Sequence, residues 1–325
     1  MRLSVFKQAL SILISYWAEA QDLSAFQTPF ETFTLATQNC DKIITESGSR
    51  IFFEAGGFPE GIDSVTITYR EFFTPADMIV HDIAMHTHAG GDPYQLASTG
   101  MFEVYALSGE DTISFDPSKR MAVYLASTSS QLRSNVAPYQ YDQSARAWKR
   151  SSGRVGQRSI AEDDDLWGSS SVAFESGEGV FFDSFEADPD WEEAQERQVE
   201  AFQMMNISSF GMHNYDYIID GVELRYLKPS FVTNTGASVT SQIYVVYREF
   251  NSVYYFPSYT WEAQFSLLVG KAFTLFSIDK EGNIWKFSEP DFSMATLSHG
   301  ALVTFMLEKM GIPDSKASLT QLAGL

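Results

Sequence analysis

Histidines offer the clearest candidate for chemistry in this chain, because three of its five lie close together at His81, His86 and His88. If residues 86–88 form a strand, the His-x-His spacing places both imidazoles on one face, and a third ligand would complete a zinc site. Residues 89–93 are typical of a loop, where imidazoles are usually solvated. The sequence therefore leaves open a zinc site, and with it a metal-dependent hydrolase, or solvated histidines.

A second candidate is a run of aromatic residues between positions 244 and 261. Rings on an exposed sheet face could stack on sugars or anchor a protein partner. Packing in a β core is the alternative, since sandwich interiors commonly use aromatic residues. The residues of the candidate face are Tyr254, Tyr255, Tyr259 and Trp261.

Acidic residues give a third, weaker candidate. Asp163, Asp164 and Asp165 could gather calcium, which takes several carboxylate oxygens from one loop. The alternative is a solvated acidic linker, because neighbouring like charges repel each other in a compact state. Residues 279–283 lack the ligand pattern of an EF-hand and predict a hairpin turn.

Signatures of an enzyme are missing from the sequence. No G-x-S-x-G motif is present, Cys40 has no histidine nearby in sequence, and phosphate-binding loops and dinucleotide fingerprints do not occur. We therefore predict a non-enzymatic protein that needs no cofactor, with zinc or calcium as the only candidate ions.

Composition narrows the class of partner. The chain has 325 residues and a net charge of −20, so it repels nucleic acids and anionic lipid surfaces. Its aromatic content of 14% favours strands, whose faces bury rings. Its length favours two domains.

The first twenty residues have the pattern of a signal peptide. Arg2 and Lys7 accompany an apolar run over residues 9–17, and residues 18–20 read Ala-Glu-Ala. The run is shorter than the roughly 20 residues that a transmembrane helix needs. We expect no transmembrane segment and an exported protein, placed in the periplasm, at the outer membrane or outside the cell.

Alternation of apolar and polar residues predicts a mainly β fold. Val65, Ile67 and Tyr69 share one face of a strand, for example. We predict a signal peptide at 1–20, a β-sandwich at 21–150, an acidic linker at 151–205 with a short helix from Trp191 to about Phe202, and a second β-sandwich-like domain at 206–325. The spacing of apolar residues over 298–310 predicts a closing C-terminal helix.

The first domain resembles a known family over residues 30–148. The residues that support the resemblance are Gly48, Ile51, Phe53, Ala55, Phe58, Gly61, Val65, Ile67, Tyr69, Glu71, Asp77, Met78, Ile79, Thr87, Leu96, Gly100 and Met101. Their order is similar to that of ZU-five-type β-sandwiches in poorly characterised envelope proteins of Gram-negative bacteria. This resemblance implies an exported scaffold or interaction module, and it supplies no catalytic residues.

Together these patterns predict an exported structural or protein-interaction module of the cell envelope, with a protein partner there. A carbohydrate-binding module that uses the aromatic residues, and a metal-dependent hydrolase that uses the histidines, remain the alternatives.

Overall fold

The computed structural model describes residues 23–38, 41–89, 92–127, 133, 135–152, 155–159, 201–288 and 292–325. These residues form a mainly β protein, as predicted. The strands before residue 160 are β1 (Glu31–Ala36), β2 (Asp41–Ile44), β3 (Arg50–Phe53), β4 (Ser64–Phe72), β5 (His86–Ala89), β6 (Asp92–Ser108), β7 (Asp111–Ile113), β8 (Met121–Ser127), β9 (Ala137–Asp142), β10 (Ala147–Arg150) and β11 (Val155–Ser159).

The strands after residue 200 are β12 (Ala201–Ile207), β13 (Gly211–Ile218), β14 (Leu224–Thr233), β15 (Ile243–Tyr247), β16 (Ser252–Phe256), β17 (Ser266–Leu268), β18 (Thr274–Ile278), β19 (Ile284–Phe287) and β20 (Ala301–Gly311). The α-helices are α1 (Pro75–Val80), α2 (Trp261–Gln264) and α3 (Lys316–Ala323). Among the described residues, no helix is both long enough and apolar enough to cross a membrane.

Strands β1 to β13 form two sheets that pack as a sandwich, which we call the first region. One has the order β1-β4-β6-β13-β9-β10-β5 with β7 paired to β6, and the other has the order β11-β12-β8-β3-β2. The predicted alternation in β4 is confirmed, because Val65, Ile67 and Tyr69 are buried while Thr66 and Thr68 are half-buried. Apolar side chains from both sheets meet in one core.

A third sheet forms the second region. It has seven strands in the order β16-β15-β18-β19-β20-β14-β17, and only the β14–β20 pair is parallel. In the described residues this region is therefore a single sheet and not the predicted second sandwich. The predicted hairpin at residues 279–283 joins β18 to β19, and the Asp279 carboxylate accepts the Asn283 backbone N–H.

The predicted domain border between residues 205 and 206 is wrong. β12 spans it and pairs with β8 and β11, while β13 pairs with β6 and β9. These strands were misassigned because alternation identifies a strand but does not identify its neighbours. The second region begins only at β14.

One apolar core connects the two regions. It contains residues of α1 and β6 together with residues of β15, β16, β18 and α3. Hydrogen bonds reinforce the contact: the Met85 N–H donates to the Val253 carbonyl, and the Ser252 hydroxyl donates to the Leu96 carbonyl. The regions are thus packed against each other directly.

The predicted helix over residues 298–310 is also wrong, because this segment is strand β20. Phe305 and Leu307 point into the core, while Leu302 and Met306 point outward. Apolar residues on both faces of a strand produced the three- and four-residue spacing that resembled a helix. A C-terminal helix does exist, but it is α3.

Several predictions concern residues outside those described. They include the signal peptide, Cys40, the acidic run at 163–165 and the part of the predicted linker helix before residue 201. The end of that predicted helix, Ala201 and Phe202, belongs to β12.

Candidate interaction surface

The outer face of β20 and β14 is the most unusual surface among the described residues. In β20, residues 302, 304, 306 and 308 are all exposed, whereas Phe305 and Leu307 are buried. The parallel register places Leu302 beside Lys228, Thr304 beside Ser230 and Met306 beside Val232. We call the residues at these six positions, together with Glu308, the β20 face.

The exposure of its apolar side chains is high. Leu302 is 85% exposed and Met306 is 57% exposed, and the exposed Met310 and Ile312 follow at the end of the strand. An outward-facing strand position in a half-solvated sheet normally holds a polar residue. Clustered exposed apolar residues with a polar rim are typical of an interaction site.

Charges lie at the edges of this face. Lys228 and Glu308 are both exposed. Lys228 lies beside Leu302 in the sheet, and Glu308 lies two residues after Met306 in β20. With one cation and one anion, the β20 face does not share the strong negative charge of the whole chain. Its chemistry is mainly that of a leucine, a methionine and a half-buried valine.

The histidines occupy structural positions where their side chains are described. His81 follows α1, and its Nε2 accepts the Thr28 backbone N–H at 3.0 Å while its ring lies edge-on to Phe72. Burial lowers the pKa of His81 to about 4, and the positive charge of Arg70 acts in the same direction. This imidazole is therefore neutral at pH 7, and its Nε2 lone pair is already used.

His86 and His88 lie in strand β5, as the His-x-His prediction required. His86 stands opposite Gln95 and His88 opposite Pro93. His86 is half-buried, and the His88 side chain lies outside the described part. Among the described side chains, no three His, Cys, Asp or Glu residues are grouped to hold a metal ion.

The aromatic residues do not form an exposed face, which corrects the sugar-stacking interpretation. Tyr254 is only 5% exposed, and its hydroxyl accepts from Ser252 Oγ at 3.0 Å. The Tyr255 hydroxyl donates to the Met78 carbonyl at 2.9 Å, across the junction between the two regions.

The remaining two aromatic residues, Trp261 and Tyr259, lie in different environments. The Trp261 indole N–H donates to the Phe256 carbonyl, and its ring lies edge-on to Phe231 in the core. Only Tyr259 is well exposed, at 72%. One exposed ring does not make a stacking platform for a sugar.

Two buried titratable groups on β13 were not singled out by the sequence. The Asp216 carboxyl is fully buried, and both of its oxygens are without a hydrogen-bond partner among the described residues. Ser98, its neighbour across the strand pair, donates to Asn214 Oδ1 instead, at 2.8 Å. Burial raises the pKa of Asp216 well above its usual range, so the neutral acid is the favoured form.

His213 is the second such group. It is fully buried and stacked on Phe102, and its Nε2 lies 3.0 Å from the Ser209 carbonyl. Burial lowers the pKa of His213 to about 4, which keeps the ring neutral. Strand alternation could have located both residues inside the sheet, but it could not reveal their missing partners.

An ion pair between Arg70 and Glu103 forms a further cluster of charged side chains, and it is largely buried. Arg70 and Glu103 face each other on β4 and β6, with Nη2 and Oε2 at 2.6 Å. The Tyr105 hydroxyl donates to the same carboxylate at 2.7 Å, and the Phe30 ring lies 4.0 Å from the guanidinium carbon of Arg70. The charges of Arg70 and Glu103 both have protein partners, so we interpret this cluster as structural.

Comparison with known proteins adds no family to this picture. A scan of the chain against models of known protein families gives no match, and a search among curated proteins also gives none.

Proposed function

We propose that this chain is an exported, non-enzymatic interaction module that binds another protein through the β20 face. The observation that supports this proposal is the outward exposure of Leu302 and Met306 on a strand whose opposite face buries Phe305 and Leu307. Exposing a large apolar side chain on a sheet favours association. A partner that covers this face would remove both side chains from water.

The chemistry of the face favours a protein as partner. Leucine, methionine and valine offer apolar contact and no aromatic ring, whereas sugars are held by rings and by hydrogen bonds. Methionine is flexible and adapts its shape to a partner's side chains. The hydroxyls of Thr304 and Ser230 supply the few polar groups of the centre.

Export and an envelope partner rest on the sequence. The basic, apolar and small-residue order of residues 2–20 supports export, and the likeness to ZU-five-type sandwiches supports a place in the envelope. The structural positions of His81 and the aromatic residues support binding over hydrolysis or sugar recognition.

The test uses immobilised chain to recover proteins from envelope extracts, followed by affinity measurements with each recovered protein after purification. The variants are Leu302→Glu and Met306→Glu, with Tyr259→Ser as a matched control that also changes an exposed apolar residue. We expect each glutamate to raise the dissociation constant about tenfold or more, because a buried contact is replaced by a charge. The control should bind like the unaltered chain.

Folding is checked by melting temperature, which should not change in any of the three variants because all three positions are exposed. Equal affinities of all the variants for every recovered protein would overturn the proposal.

A further inference from the structure

The methionines of this chain divide into two groups by exposure. Ten of the eleven lie among the described residues, and eight of these ten are at most 8% exposed. The eight buried methionines are Met78, Met85, Met101, Met121, Met204, Met205, Met212 and Met294. The two exposed ones, Met306 and Met310, both belong to β20. Among the described residues, exposed thioethers are therefore confined to the strand that carries the β20 face.

The fold fixes the outward position of Met306. Its neighbours in sequence, Phe305 and Leu307, are fully buried in the core that connects the two regions. Because successive side chains of a strand point to opposite faces, Met306 points to solvent. Its side chain is therefore accessible in the folded chain, whereas a buried methionine becomes accessible only when the structure opens locally.

An accessible thioether reacts with peroxides, which are two-electron oxidants. The sulfur lone pair attacks one oxygen of hydrogen peroxide, so that an S–O bond forms while the O–O bond breaks. The sulfur is oxidised by two electrons, and the other oxygen leaves as water with both protons. The product is methionine sulfoxide. Methionine sulfoxide reductases reverse the step with two thiols, which become a disulfide while the sulfoxide oxygen leaves as water.

Oxidation of Met306 would change the chemistry of the β20 face at its centre. Met306 lies beside Val232 of β14, and Leu302 is the other large apolar side chain of the face. Sulfoxide converts a flexible apolar side chain into a polar one and disrupts interfaces that use methionine. An S=O group that a partner covers without donating a hydrogen bond to it weakens binding, because the group loses its hydration.

Met310 provides a comparison on the same strand. It is 39% exposed, and it lies outside the β20 face as defined above. The β19–β20 register shifts at this point, since Gly311 faces Ile284 while Lys309 faces Trp285. Met310 should therefore also be oxidised, but its sulfoxide should not stand at the centre of the contact.

We infer that Met306 is a site of reversible oxidation by peroxides, and that its sulfoxide switches off protein binding at the β20 face. The first half of this inference concerns the chain alone. The second half rests on the proposed function. Each half has its own measurement.

The first measurement follows oxidation of the full chain by hydrogen peroxide over time, with peptide mapping by mass spectrometry. Met306 should be oxidised about tenfold or more faster than any of the eight buried methionines, because their oxidation waits for local opening. Methionine sulfoxide reductases of both stereospecificities, supplied with dithiothreitol, should return Met306 to the thioether. Oxidation of Met306 at the rate of the buried methionines, or a sulfoxide that the reductases do not reduce, would overturn the modification site.

The second measurement uses each recovered protein whose binding is weakened by Leu302→Glu. The chain is oxidised until Met306 is converted and the buried methionines are intact, and catalase removes the peroxide before the proteins are mixed. Oxidation should raise the dissociation constant about tenfold or more, and the reductases should restore it. An unchanged melting temperature shows that the oxidised chain is folded.

Two leucine variants are the matched controls. Met306→Leu keeps an apolar side chain and removes the reactive sulfur, so it should bind like the unaltered chain both before and after peroxide. Met310→Leu should lose affinity on oxidation as the unaltered chain does. Every other oxidisable residue is the same in the two variants, so they assign the effect to one sulfur.

The outcomes separate this inference from the proposed function. If Leu302→Glu weakens binding but oxidation does not, or if Met306→Leu remains sensitive to peroxide, the proposed function stands and the switch is wrong. If no recovered protein depends on Leu302, the proposed function and the switch both fail, and the peptide map alone decides whether Met306 is a modification site.

Discussion

Asp216, His213 and His81 show how individual residues of this protein adapt to burial. Each is kept in its neutral form by the interior, although a free aspartate would be ionised at pH 7. The acid and the two histidines therefore shift stability in opposite directions as the pH changes. Each direction can be measured with a single substitution.

Asp216→Asn should stabilise the protein at pH 8. The raised pKa of Asp216 means that the folded chain holds a proton that the unfolded chain releases above pH 3.8, so the stability of the unaltered protein falls as the pH rises. Asparagine removes this pH-dependent loss.

Urea unfolding at pH 8 should show a gain of about 1–3 kcal/mol for the asparagine variant, and the gain should shrink on acidification. A variant that is no more stable at pH 8, or a gain that does not depend on pH, would contradict the assignment of a neutral buried acid.

His213→Phe should change how the stability of the protein depends on pH under acidic conditions. Because the pKa of His213 is lowered, the unfolded chain takes up a proton at a higher pH than the folded chain does. The stability of the protein is therefore unaffected above pH 6.5 and falls as the pH is lowered towards about 4. Phenylalanine keeps the stacking on Phe102 and cannot be protonated.

The stability of the variant relative to the unaltered protein should therefore improve by about 3 kcal/mol between pH 7 and pH 4, measured by chemical unfolding. At pH 7 the variant should be slightly less stable, because it loses the hydrogen bond to the Ser209 carbonyl. Parallel pH profiles of the two proteins would show that His213 is protonated normally in the fold.

At the scale of elements, α1 and α3 are joined through one carboxylate. Asp77 closes the capping box of α1 with Thr74, and it also accepts from Lys316 Nζ at 2.7 Å. Although burial opposes it, the hydrogen bonds from Lys316 and Thr74 hold the pKa of Asp77 below its usual range. Thr28 Oγ1 lies 3.1 Å from the same Lys316 Nζ.

Asp77→Ala should destabilise the protein by about 2–3 kcal/mol, because it removes the cap and leaves Lys316 without its carboxylate. Lys316→Ala should lose about 1 kcal/mol or less, since its ammonium is more exposed than the carboxylate. The double variant should be close to Asp77→Ala. Additive losses in this cycle, measured by urea unfolding, would mean that the two side chains act independently.

Strand β20 shows where prediction from sequence fails at this scale. The alternation of Val65, Ile67 and Tyr69 was sufficient to predict β4, because one face is buried and the other is half-buried. In β20 the outward Leu302 and Met306 break that rule, and the segment was predicted as a helix. The failure has a physical cause that coincides with the proposed function: apolar residues stand where folding alone would favour polar ones.

At the scale of the whole molecule, the shared core should make the two regions unfold together. A hydrogen bond from the Met85 N–H to the Val253 carbonyl connects their backbones, and the apolar core continues across the junction. Differential scanning calorimetry should give one transition with equal calorimetric and van't Hoff enthalpies. Two separated transitions would show that the regions are stable independently.

The mainly β class and several strand positions could be predicted from local alternation. The membership of β12 and β13 in the first two sheets could not, because pairing depends on long-range contacts that a local pattern does not specify. The contact between Asn251 and the Ser98 carbonyl could not be predicted either, because only the fold brings these two residues together. Burial of Tyr254 at the junction likewise depends on how the two regions meet.

The central claim is that the β20 face docks a protein. Photo-crosslinking tests it most directly, with p-benzoylphenylalanine incorporated at position 302 and, in a separate chain, at position 259 as the exposed control. We predict a discrete adduct with a different protein in envelope extracts from position 302, none from position 259, and loss of the adduct when Met306→Glu is added. No adduct at 302, the same adducts from both positions, or an adduct of two copies of this chain alone would contradict the claim.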